Sequence, residues 1–539
     1  MIPTGRSWSG WGMAAEAQEL SPELRSMLRA GLGIKRERPA VEPAEIRLPV
    51  TRLAAEDRSE LEAVVGAANV HEDRRARLEH TRGKSTPDLL RMRAGDAAEA
   101  PDAVVAPGSH EEVLDLLQVC SARRLAVVPF GGGTSVVGGL APAPERLRAV
   151  VALALARMDR LLELDELSRT AVLEPGLNGM EAEHALAERG YTLGHRPQSL
   201  QFASVGGFAA TRSAGEASAG YGRFDELVVG LRVATPRGTI ELGRAPKSAA
   251  GPDLRQLFLG SEGALGVITG VRVEIRPAPA ARLYEGWRLP SFADGLTVLR
   301  LLAQDGPRPT SLRLSDEVET ALDLGRAAAP AEPAASLEAA PDRNGAGGCM
   351  AIVGFEGSQA GVAERCERVA AMMRGAGAQR DRTAGEAWLR GRYKAPYLRD
   401  ALLDAGALVE TLETATFWSG LEHLYGSVRE ALVQSLTELG TPPVVLCHVS
   451  HVYRSGASLY FTVAAAQLDD PLAQWASAKR AASDTILAAG GSITHHHGVG
   501  RDHREHYARE TGRLAIEVLR AAKTTLDPAG ILNPGVLIA

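Results

Sequence analysis

A glycine-rich loop that directly follows a short apolar strand is the feature of this sequence that most restricts its fold. Residues 125–130 have the apolar character of a strand and run into Gly131-Gly132-Gly133-Thr134-Ser135. A strand at 102–106 and a helix that begins after Ser109 precede it, so the loop ends a strand–helix–strand unit. Glycines leave backbone amides accessible, and Thr and Ser add hydroxyl donors, which suits a pyrophosphate. By itself, such a loop is more often a flexible turn.

Three further segments of small residues change that balance. Ser204-Val205-Gly206-Gly207 is followed by Thr211-Arg212-Ser213-Ala214-Gly215, and then by Gly220-Tyr221-Gly222 and the stretch 260–269. Four such loops in one mixed α and β region indicate that the backbone closely approaches a long, flat ligand. A flavin dinucleotide fits that description.

Two common nucleotide signatures fail in this sequence. The dinucleotide fingerprint G-x-G-x-x-G would need a glycine where Val136 stands. The phosphate-loop ending Gly83-Lys84-Ser85 lacks its upstream glycine, because that position is Leu78. The sequence therefore supports neither NAD on a Rossmann unit nor ATP on a Walker loop.

The charge and cysteine content exclude several classes of protein. The 539 residues include 60 basic and 66 acidic side chains, a formal net charge of −6, whereas nucleic-acid binding normally needs a basic surplus. Of the basic residues, 54 are Arg, so no single arginine carries much weight. The four cysteines are widely spaced and form no CxxC pair, which argues against a disulfide framework or zinc ribbon and favours a reducing compartment.

No targeting or membrane-spanning segment is expected. The N-terminus has no apolar signal region, no stretch approaches about 18 uninterrupted apolar residues, and residues 536–539 are not a peroxisomal Ser-Lys-Leu ending. We therefore predict a cytoplasmic protein.

Changes in residue pattern along the chain divide it into four parts. Residues 1–99 are rich in Ala, Glu, Arg and Leu and indicate a helical N-terminal segment, whereas 100–278 mix strands with short helices and hold the glycine loops. Residues 279–480 form a second α+β region with an Ala/Pro/Gly-rich linker at 326–348, and 481–539 carry a histidine cluster and a turn-rich tail. Strands are expected at 149–155, 170–174, 227–234, 239–242, 267–276, 350–356 and within 443–465, and helices at 180–188, 361–373, 420–437 and 510–523.

A set of motifs resembles the vanillyl-alcohol-oxidase type of FAD-binding protein: PFGGGTS (129–135), SLQFASVGG (199–207), TRSAG (211–215), GSEGALGVIT (260–269) and LDPAGILNPG (526–535). Within that superfamily, GSITHHHGVG (491–500) is similar to the alkyldihydroxyacetonephosphate synthases, while the related D-2-hydroxyacid dehydrogenases usually have a single histidine there. Further matches to the synthases are WSGWG (8–12), TLGHRPQS (192–199), SLRLSD (311–316), YLRD (397–400) and SLYF (458–461). The resemblance spans nearly the whole chain and implies an α+β fold, with a PCMH-type FAD-binding domain of two α+β subdomains and an α+β substrate cap.

The resemblance also implies the positions that bind FAD. Carried over onto this sequence, they are Pro129, Phe130, Gly131, Gly132, Gly133, Thr134, Ser135, Gln198, Ser199, Leu200, Gln201, Phe202, Ala203, Ser204, Gly206, Gly207, Thr211, Arg212, Ser213, Ala214, Glu262, Gly263, Ala264, Leu265, Gly266, Val267 and Ile268. Relatives that tether FAD through histidine often place that histidine in the first glycine loop, which here has only Gly, Thr and Ser. We therefore expect FAD to be bound non-covalently.

The histidines are concentrated near the C-terminus. Seven of the 13 lie between His448 and His506, and His495, His496 and His497 are consecutive. A metal site is one interpretation, since His495 and His497 would share a face of an extended strand. Consecutive ligands converge poorly on one ion and no acid or cysteine stands at zinc spacing, so we favour acid–base work without a metal.

Four more residues gain a role through the resemblance. Tyr460 matches the active-site acid/base of the synthases, although a core aromatic is the default interpretation of its apolar surroundings. Arg399 matches the position that holds the substrate phosphate, a role that suits a planar guanidinium. Arg313 and His195 match positions that the family needs for activity.

The resulting hypothesis is an FAD-dependent synthase that exchanges the acyl chain of 1-acyl-dihydroxyacetone phosphate for a long-chain fatty alcohol. The resemblance implies a route through a flavin N5 adduct with no net redox change, a homodimer, and peripheral contact with a membrane. The alternative is an FAD-linked D-2-hydroxyacid dehydrogenase or oxidase. Two departures keep it open: His448 stands where animal synthases have Arg, and Gln198 replaces an Asp.

Overall fold

The computed structural model describes residues 5–144, 146–327 and 348–538, so all but the ends of the expected linker at 326–348 lies outside the described residues. Three main sheets, each covered by helices, contain most of the buried apolar side chains. The predicted α+β class is confirmed. Within the described ranges, no helix is both long enough and apolar enough to cross a membrane.

The N-terminal segment alternates helices with extended chain. Its helices are Pro22–Leu32, Ala55–Val65, Arg74–Glu79 and Thr86–Arg93, and its 3-10 turns are Ala14–Glu16, Pro43–Glu45 and Ala67–Asn69. Three of the helices begin at a Ser or Asp side chain that accepts a hydrogen bond from a backbone amide of the first turn: Ser21, Asp73 and Ser85. Much of the segment between Gly33 and Ala54 is extended, so it is less helical than the composition predicts.

The first sheet positions the first glycine loop. Its strands are, in spatial order, Val70–His71, Ala103–Val105, Val150–Ala154 and Ala126–Phe130, and the last three are parallel. The helix His110–Arg123 joins the strands Ala103–Val105 and Ala126–Phe130. Since Ala126–Phe130 is fully paired with Val150–Ala154 and largely buried, the loop that follows it starts from a rigid strand end.

The second sheet is antiparallel and carries the other glycine loops. Its strands are, in spatial order, Leu161–Asp165, Thr170–Leu173, Val267–Glu274, Val228–Thr235 and Gly238–Leu242. The helices of this region are Gly179–Ala187, Val205–Thr211, Ser218–Tyr221, Phe224–Leu227 and Arg255–Phe258. A two-stranded ladder pairs Arg276–Pro277 with Tyr191–Thr192.

The third sheet has seven antiparallel strands and forms the second α+β region. In spatial order they are Gln379–Asp381, Ala281–Leu289, Cys349–Gly357, Ser311–Ser315, Val444–Val452, Gly456–Ala466 and Ala407–Phe417. The helices of this region are Phe292–Gln304, Glu317–Ala327, Gln359–Gly375, Ala384–Gly391, Ala395–Asp404, Leu421–Glu438 and Pro471–Ala488. The strand Ala407–Phe417 was not among the expected elements.

The C-terminal segment returns to the first two sheets. It contains Arg504–Thr511 and Arg513–Leu526, two helices where the pattern predicts one at 510–523, because Gly512 between them has a φ of 83°. The tail then lies beside the strand Ala126–Phe130, where Val127 N donates to Ile531 O at 2.8 Å and Asn533 N donates to Val127 O at 2.8 Å. The tail also contacts residues 491–500, here called the histidine loop, because Leu537 N donates to Gly500 O at 3.0 Å, so it connects this loop with the strand that precedes the first glycine loop.

Candidate active site

Three side chains from adjacent strands meet on one face of the seven-stranded sheet. Tyr460 is paired with His448 on one neighbouring strand and with Glu413 on the other. Residues directly opposite each other in paired strands point to the same face, so the register alone puts the three side by side. The rings of His448 and Tyr460 are stacked, with centroids 4.8 Å apart.

The histidine loop is attached to the strand that carries Glu413. Ser492 N donates a hydrogen bond of 2.9 Å to Ala415 O, and the Thr414 hydroxyl donates one of 2.7 Å to Ser492 O. These two hydrogen bonds hold the start of the loop against the strand Ala407–Phe417. Residues 495–497 consequently lie over the sheet face that bears Tyr460.

A single buried carboxylate organises four imidazoles. His496 Nδ1 contacts the Glu413 carboxylate directly, while His495 Nδ1 lies 3.7 Å and His497 Nε2 lies 3.8 Å from its oxygens. His451 Nε2, from the strand Val444–Val452, lies 3.9 Å from Glu413 Oε1. The three consecutive histidines and His451 are thus brought to one acid.

Polar neighbours fix the orientation of two of these rings. The Tyr453 hydroxyl is 2.8 Å from His495 Nε2, and the Ser218 hydroxyl is 2.7 Å from His451 Nδ1. Arg223 also donates to the His495 carbonyl at 3.2 Å. Ser218 and Arg223 come from the FAD-binding region, so the site lies where that region meets the third sheet.

Burial and neighbouring charges give the members of the cluster different protonation states. Burial would raise the pKa of Glu413, but the nearby His496 and the hydrogen bonds from the histidines hold that pKa well below its usual value. Burial lowers the pKa of His495, and it lowers the pKa of His497 to about 3. At neutral pH the carboxylate is therefore charged, and His495 and His497 are neutral proton acceptors.

Tyr460 is a protonated phenol at neutral pH. Burial raises its pKa to about 12, and the charge of Glu413 adds to that effect. A hydrogen bond with Thr411 and the positive charge of Arg399 act in the opposite direction, which places Arg399 within electrostatic range of the phenol. The phenol consequently keeps its proton at neutral pH, and Arg399 would favour the anion that forms if this proton were donated.

Arg399 has free hydrogen-bonding capacity. Its Nη1 donates to Lys84 O at 3.0 Å, whereas its Nε and Nη2 are buried without a hydrogen-bond partner among the described residues. The adjacent Asp400 carboxylate is 3.8 Å from Nε, too long for a hydrogen bond. Unsatisfied buried donors are costly, so this guanidinium is suited to an anionic ligand.

Arg313 and His195 lie on two sides of the cluster. Arg313 donates to Glu319 at 2.6 Å and contacts His448 Nδ1 at 3.1 Å, so in this structure it reaches Tyr460 through His448. His195 Nε2 lies 3.1 Å from the Ser213 hydroxyl. Burial lowers the pKa of His195 to about 3, and the charge of His496 acts in the same direction.

The glycine loops converge into one cradle. A Cβ atom on Gly131 would collide with the Ser204 hydroxyl, and one on Gly132 would collide with the Phe202 carbonyl. On Gly263, with a φ of 79°, a Cβ would lie 2.8 Å from Pro129. Three loops that are far apart in sequence therefore lie too close together to admit further side chains, and such close approach of the backbone fits a flavin dinucleotide.

Several predicted FAD-binding side chains are engaged within the protein. The guanidinium of Arg212 bonds Leu259 O at 3.0 Å and Asp225 at 3.1 Å, and Glu262 accepts from the amides of Val499 and Gly500 at 2.9 and 2.8 Å. Contact of these two with FAD, and of the other carried-over positions, stays a prediction.

Gln198 is exposed, and among the predicted FAD-binding residues it is the one that replaces an Asp of the animal synthases. Its amide contacts the carbonyl of Arg392 at 3.5 Å, at the edge of the second α+β region. Arg392 in turn pairs with Glu216 at 2.7 Å. The substitution thus falls where the FAD-binding region meets the third sheet, outside the histidine cluster.

Glu262 gives a pH-dependent prediction for stability. Burial raises its pKa to about 7, although the Gly500 and Val499 amides oppose the shift. The folded-state pKa lies above the unfolded value, so Glu262 contributes stability below about pH 4.5 that is lost as the pH rises to 7. We expect Glu262→Gln to gain about 3 kcal/mol over the wild type between pH 4.5 and 8, measured by urea unfolding. Glu274→Gln, at an exposed position, should show no such change, and a pH-independent difference for Glu262→Gln would contradict the assignment.

Sequence reasoning missed Glu413, His451 and Tyr453. His451 and Tyr453 are close to His448 in sequence, but Glu413 lies in the unpredicted strand Ala407–Phe417. The available signal was a pair of acidic residues, Glu410 and Glu413, within the otherwise uncharged run 405–417.

Glu413, His451, His495 and His496 also meet the geometric requirement for a metal site. Their potential ligand atoms lie within 4.8 Å of one another. Glutamate and histidine are ligands that zinc accepts. The absence of a metal therefore stays a prediction, and it is tested below.

Two family models cover most of the chain. The FAD binding domain matches residues 101–243, and the C-terminal domain of FAD linked oxidases matches residues 278–537. Together with the glycine cradle and the seven-stranded sheet, they define a flavoprotein of the FAD-linked oxidase class, and FAD as its cofactor is confirmed.

Comparison with individual relatives identifies the family within this class of flavoproteins. An alkyldihydroxyacetonephosphate synthase from Dictyostelium discoideum is 33% identical, over 98% of this chain and 93% of its own length. A solved structure of an alkyldihydroxyacetonephosphate synthase is 31% identical, covers 98% of both chains and superposes with a TM-score of 0.84. The chain belongs to the alkyldihydroxyacetonephosphate synthase family.

The dehydrogenase alternative is not favoured. A mitochondrial cytochrome-type D-lactate dehydrogenase from Arabidopsis thaliana is 28% identical, over 82% of this chain and 74% of its own length. Its identity and coverage are both lower than those of the synthase from Dictyostelium discoideum.

Proposed function

We propose that this protein is an FAD-dependent alkyldihydroxyacetonephosphate synthase, which replaces the acyl chain of 1-acyl-dihydroxyacetone phosphate with a long-chain fatty alcohol. The reaction breaks one C1–oxygen bond and forms another, releases a fatty acid and leaves no net redox change. The observation that carries the proposal is Arg399, whose unpaired buried Nε and Nη2 lie within electrostatic range of Tyr460. This substrate needs a hydrogen-bond donor for its phosphate close to a group that transfers protons.

The side chains of the site divide the proton transfers between them. FAD, which the glycine loops at 131–133, 204–207 and 260–263 would hold, would supply an electrophilic centre for the reaction. Neutral His495 can accept a proton, and the Glu413 carboxylate, which raises the pKa of His495 against the effect of burial, stabilises the imidazolium that results. The Tyr460 phenol carries a proton at neutral pH, since its pKa is raised, and the positive charge of Arg399 favours the anion that forms when this proton is donated.

Arg399 orients the substrate by its phosphate in this scheme. A guanidinium can place two parallel N–H groups on a phosphate, and Nε and Nη2 are the two that remain free. The fatty chains would then extend away from the cluster. His448 holds the phenol ring in place, because it is stacked on Tyr460. Hydrogen bonds with Arg313 and Glu319 fix His448 in turn.

One assay separates the two candidate activities. The purified FAD-loaded protein is given palmitoyl-dihydroxyacetone phosphate with labelled hexadecanol and, in parallel, D-lactate and related 2-hydroxyacids while flavin absorbance is followed. We expect label in the ether product and no bleaching by the acids. Bleaching by a hydroxyacid without incorporation of label would refute the synthase proposal.

Arg399→Lys tests the phosphate contact. A lysine keeps the charge but loses the planar pair of donors, so we expect KM for acyl-dihydroxyacetone phosphate to rise about 10- to 100-fold. FAD content should be unchanged, and Arg390→Lys, at an exposed position of the preceding helix, should behave as the wild type. An unaltered KM in Arg399→Lys would remove the phosphate role.

The lipid nature of both substrates leads us to propose a cytoplasmic protein that contacts a membrane peripherally and forms a homodimer. Support comes from exposed apolar side chains: Phe417 is 71% exposed, and Leu514 and Val518 on the helix Arg513–Leu526 are 73% and 58% exposed. Co-sedimentation with phospholipid vesicles tests the membrane contact. Sedimentation velocity tests the dimer.

A further inference from the structure

The backbone of the histidine loop is held at its start, its middle and its end. Its start is bonded to the third sheet through Ser492, and the amides of residues 499–500 at its end donate to Glu262 at 2.9 and 2.8 Å. In the middle, Arg223 Nη1 donates to the carbonyl of His495 at 3.2 Å. Arg223 therefore ties the first of the three consecutive histidines to the FAD-binding region.

The guanidinium of Arg223 is held in turn by Asp225. Arg223 Nε donates to Asp225 Oδ1 at 3.0 Å, and Nη2 donates to Oδ2 at 2.5 Å. Such a bidentate pair fixes the plane of the guanidinium, and it leaves Nη1 for the carbonyl of His495. Asp225 has only 8% of its surface exposed, so water competes little for these bonds. The position of the His495 backbone consequently depends on one buried carboxylate.

Asp225 also holds one of the predicted flavin loops. Its Oδ2 accepts a hydrogen bond of 3.1 Å from Arg212 Nη1. The Nε of the same guanidinium donates to Leu259 O at 3.0 Å, and a Cβ atom on Gly260 would lie 2.9 Å from that nitrogen. Arg212 is therefore packed against the start of the glycine stretch 260–269. Through two arginines, the carboxylate of Asp225 joins this stretch to the histidine loop.

His495 lies at the junction of the two regions that the reaction brings together. On its ring, Nδ1 lies 3.7 Å from Glu413 and Nε2 lies 2.8 Å from the Tyr453 hydroxyl, and both partners belong to the second α+β region. Its carbonyl is bonded to Arg223 of the FAD-binding region. A misplacement of about 1 Å in a reacting group can lower a rate about 10²-fold, so the contact to the FAD-binding region bears on the rate of proton transfer.

We propose that Asp225, acting through Arg223, is a positioning residue that sets the place of the His495 imidazole relative to the FAD-binding loops. The role is indirect, because Asp225 holds Arg223 and Arg223 holds the loop. The inference rests on the proposed function, since the proton transfer that it serves is the one proposed for His495. It gives a role to a carboxylate that lies outside every motif of the sequence.

Two substitutions break the chain of contacts at different points. Asp225→Asn keeps the size of the side chain but loses the charge and one of the two accepting oxygens. We expect kcat for exchange to fall about 10- to 100-fold in FAD-loaded protein, whereas KM for acyl-dihydroxyacetone phosphate should stay near the wild-type value because Arg399 is untouched. Arg223→Lys keeps the charge, but an ammonium cannot reproduce the bidentate pair and also reach the His495 carbonyl, so a similar fall is expected.

The matched control is Asp253→Asn. Asp253 is an exposed aspartate of the same region, and it also pairs with an arginine, Arg255, at 2.9 Å. Since this pair does not contact the histidine loop, the variant should have the kcat, KM and FAD content of the wild type. Thermal stability is recorded for all variants, so that a loss of fold is recognised.

Two further measurements distinguish positioning from a general loss of structure. In a His495→Gln background, Asp225→Asn should lower kcat no further, because the group that Asp225 positions has been removed. Nitrogen NMR spectra of isotope-labelled histidine side chains, recorded on FAD-loaded protein without substrate, report on the ring itself. The signals that disappear in His495→Gln should be the ones that shift in Asp225→Asn, and they should not move in Asp253→Asn.

The outcomes separate this inference from the proposed function. Unchanged kcat and unmoved ring signals in both variants, while the wild type exchanges acyl for alkyl chains, overturn the inference and leave the function standing. An equal fall of kcat in the wild-type and His495→Gln backgrounds also overturns it. Loss of FAD from Asp225→Asn, with normal kcat in the loaded fraction, assigns the carboxylate to the cofactor loop and overturns it as well. Shifted ring signals in a protein whose wild type performs no exchange support the inference and refute the function.

Discussion

Tyr460→Phe is expected to lower kcat for acyl-to-alkyl exchange by about 10³-fold, because general acid–base groups typically contribute 10²- to 10⁴-fold. The substitution removes one hydroxyl and keeps the ring that stacks on His448 at 4.8 Å. FAD content and thermal stability should therefore stay close to those of the wild type. Single-turnover label exchange, with flavin absorbance recorded in parallel, measures the effect.

The matched control for this variant is Tyr507→Phe. Tyr507 is a half-buried tyrosine of the C-terminal helix Arg504–Thr511, packed in a separate apolar cluster. The Tyr507→Phe variant should exchange label at the wild-type rate. If Tyr460→Phe retained more than about a tenth of the wild-type kcat, the phenol would not be the proton-transfer group.

Glu413→Gln is expected to lower kcat by about 10²-fold. The carboxylate raises the pKa of His495 against the effect of burial, so an amide in its place makes the imidazole a weaker proton acceptor. The amide has nearly the same size, so the cluster should keep its packing. Measuring kcat across the pH range would show the loss at every pH where the wild type has the charged carboxylate.

Glu410→Gln provides the control on the same strand. Glu410 lies on the opposite face of Ala407–Phe417, where it contacts the Trp475 indole, so its loss should leave kcat near the wild-type value. Metal analysis of the same preparations tests the metal-free prediction. We expect no stoichiometric zinc in the wild type and unchanged exchange after chelation, whereas one zinc per chain that disappears in Glu413→Gln would show a metal site instead.

The cofactor region could be predicted from the sequence because its requirements are local. Gly263 has a positive φ, and Gly131 and Gly132 have no room for a Cβ atom. Glycine meets each of these requirements at the position where it occurs, so the sequence itself shows them. The strands around these loops were also found, since 126–130, 150–154 and 228–235 are apolar and bounded by turns. The same motifs indicate the FAD-binding superfamily, whereas GSITHHHGVG (491–500) indicates the synthase family.

The strand Ala407–Phe417 could not be found in that way. Its sequence, ALVETLETATF, mixes Ala, Leu and Glu with Thr and Val, so helix and strand preferences nearly cancel. It becomes a strand because eleven residues pair with Gly456–Ala466, a partner that begins about 40 positions further along the chain. Glu413 was missed for that reason.

The sequence by itself determined the α+β class and the synthase family, and it predicted the FAD-binding loops and the roles of Tyr460, Arg399 and the histidines. Only the tertiary structure decided that Glu413 joins the histidine loop to Tyr460, and that Arg399 donates a hydrogen bond to the carbonyl of Lys84. The physical reason is that a glycine turn is a property of neighbouring residues, whereas strand register depends on pairings between distant segments.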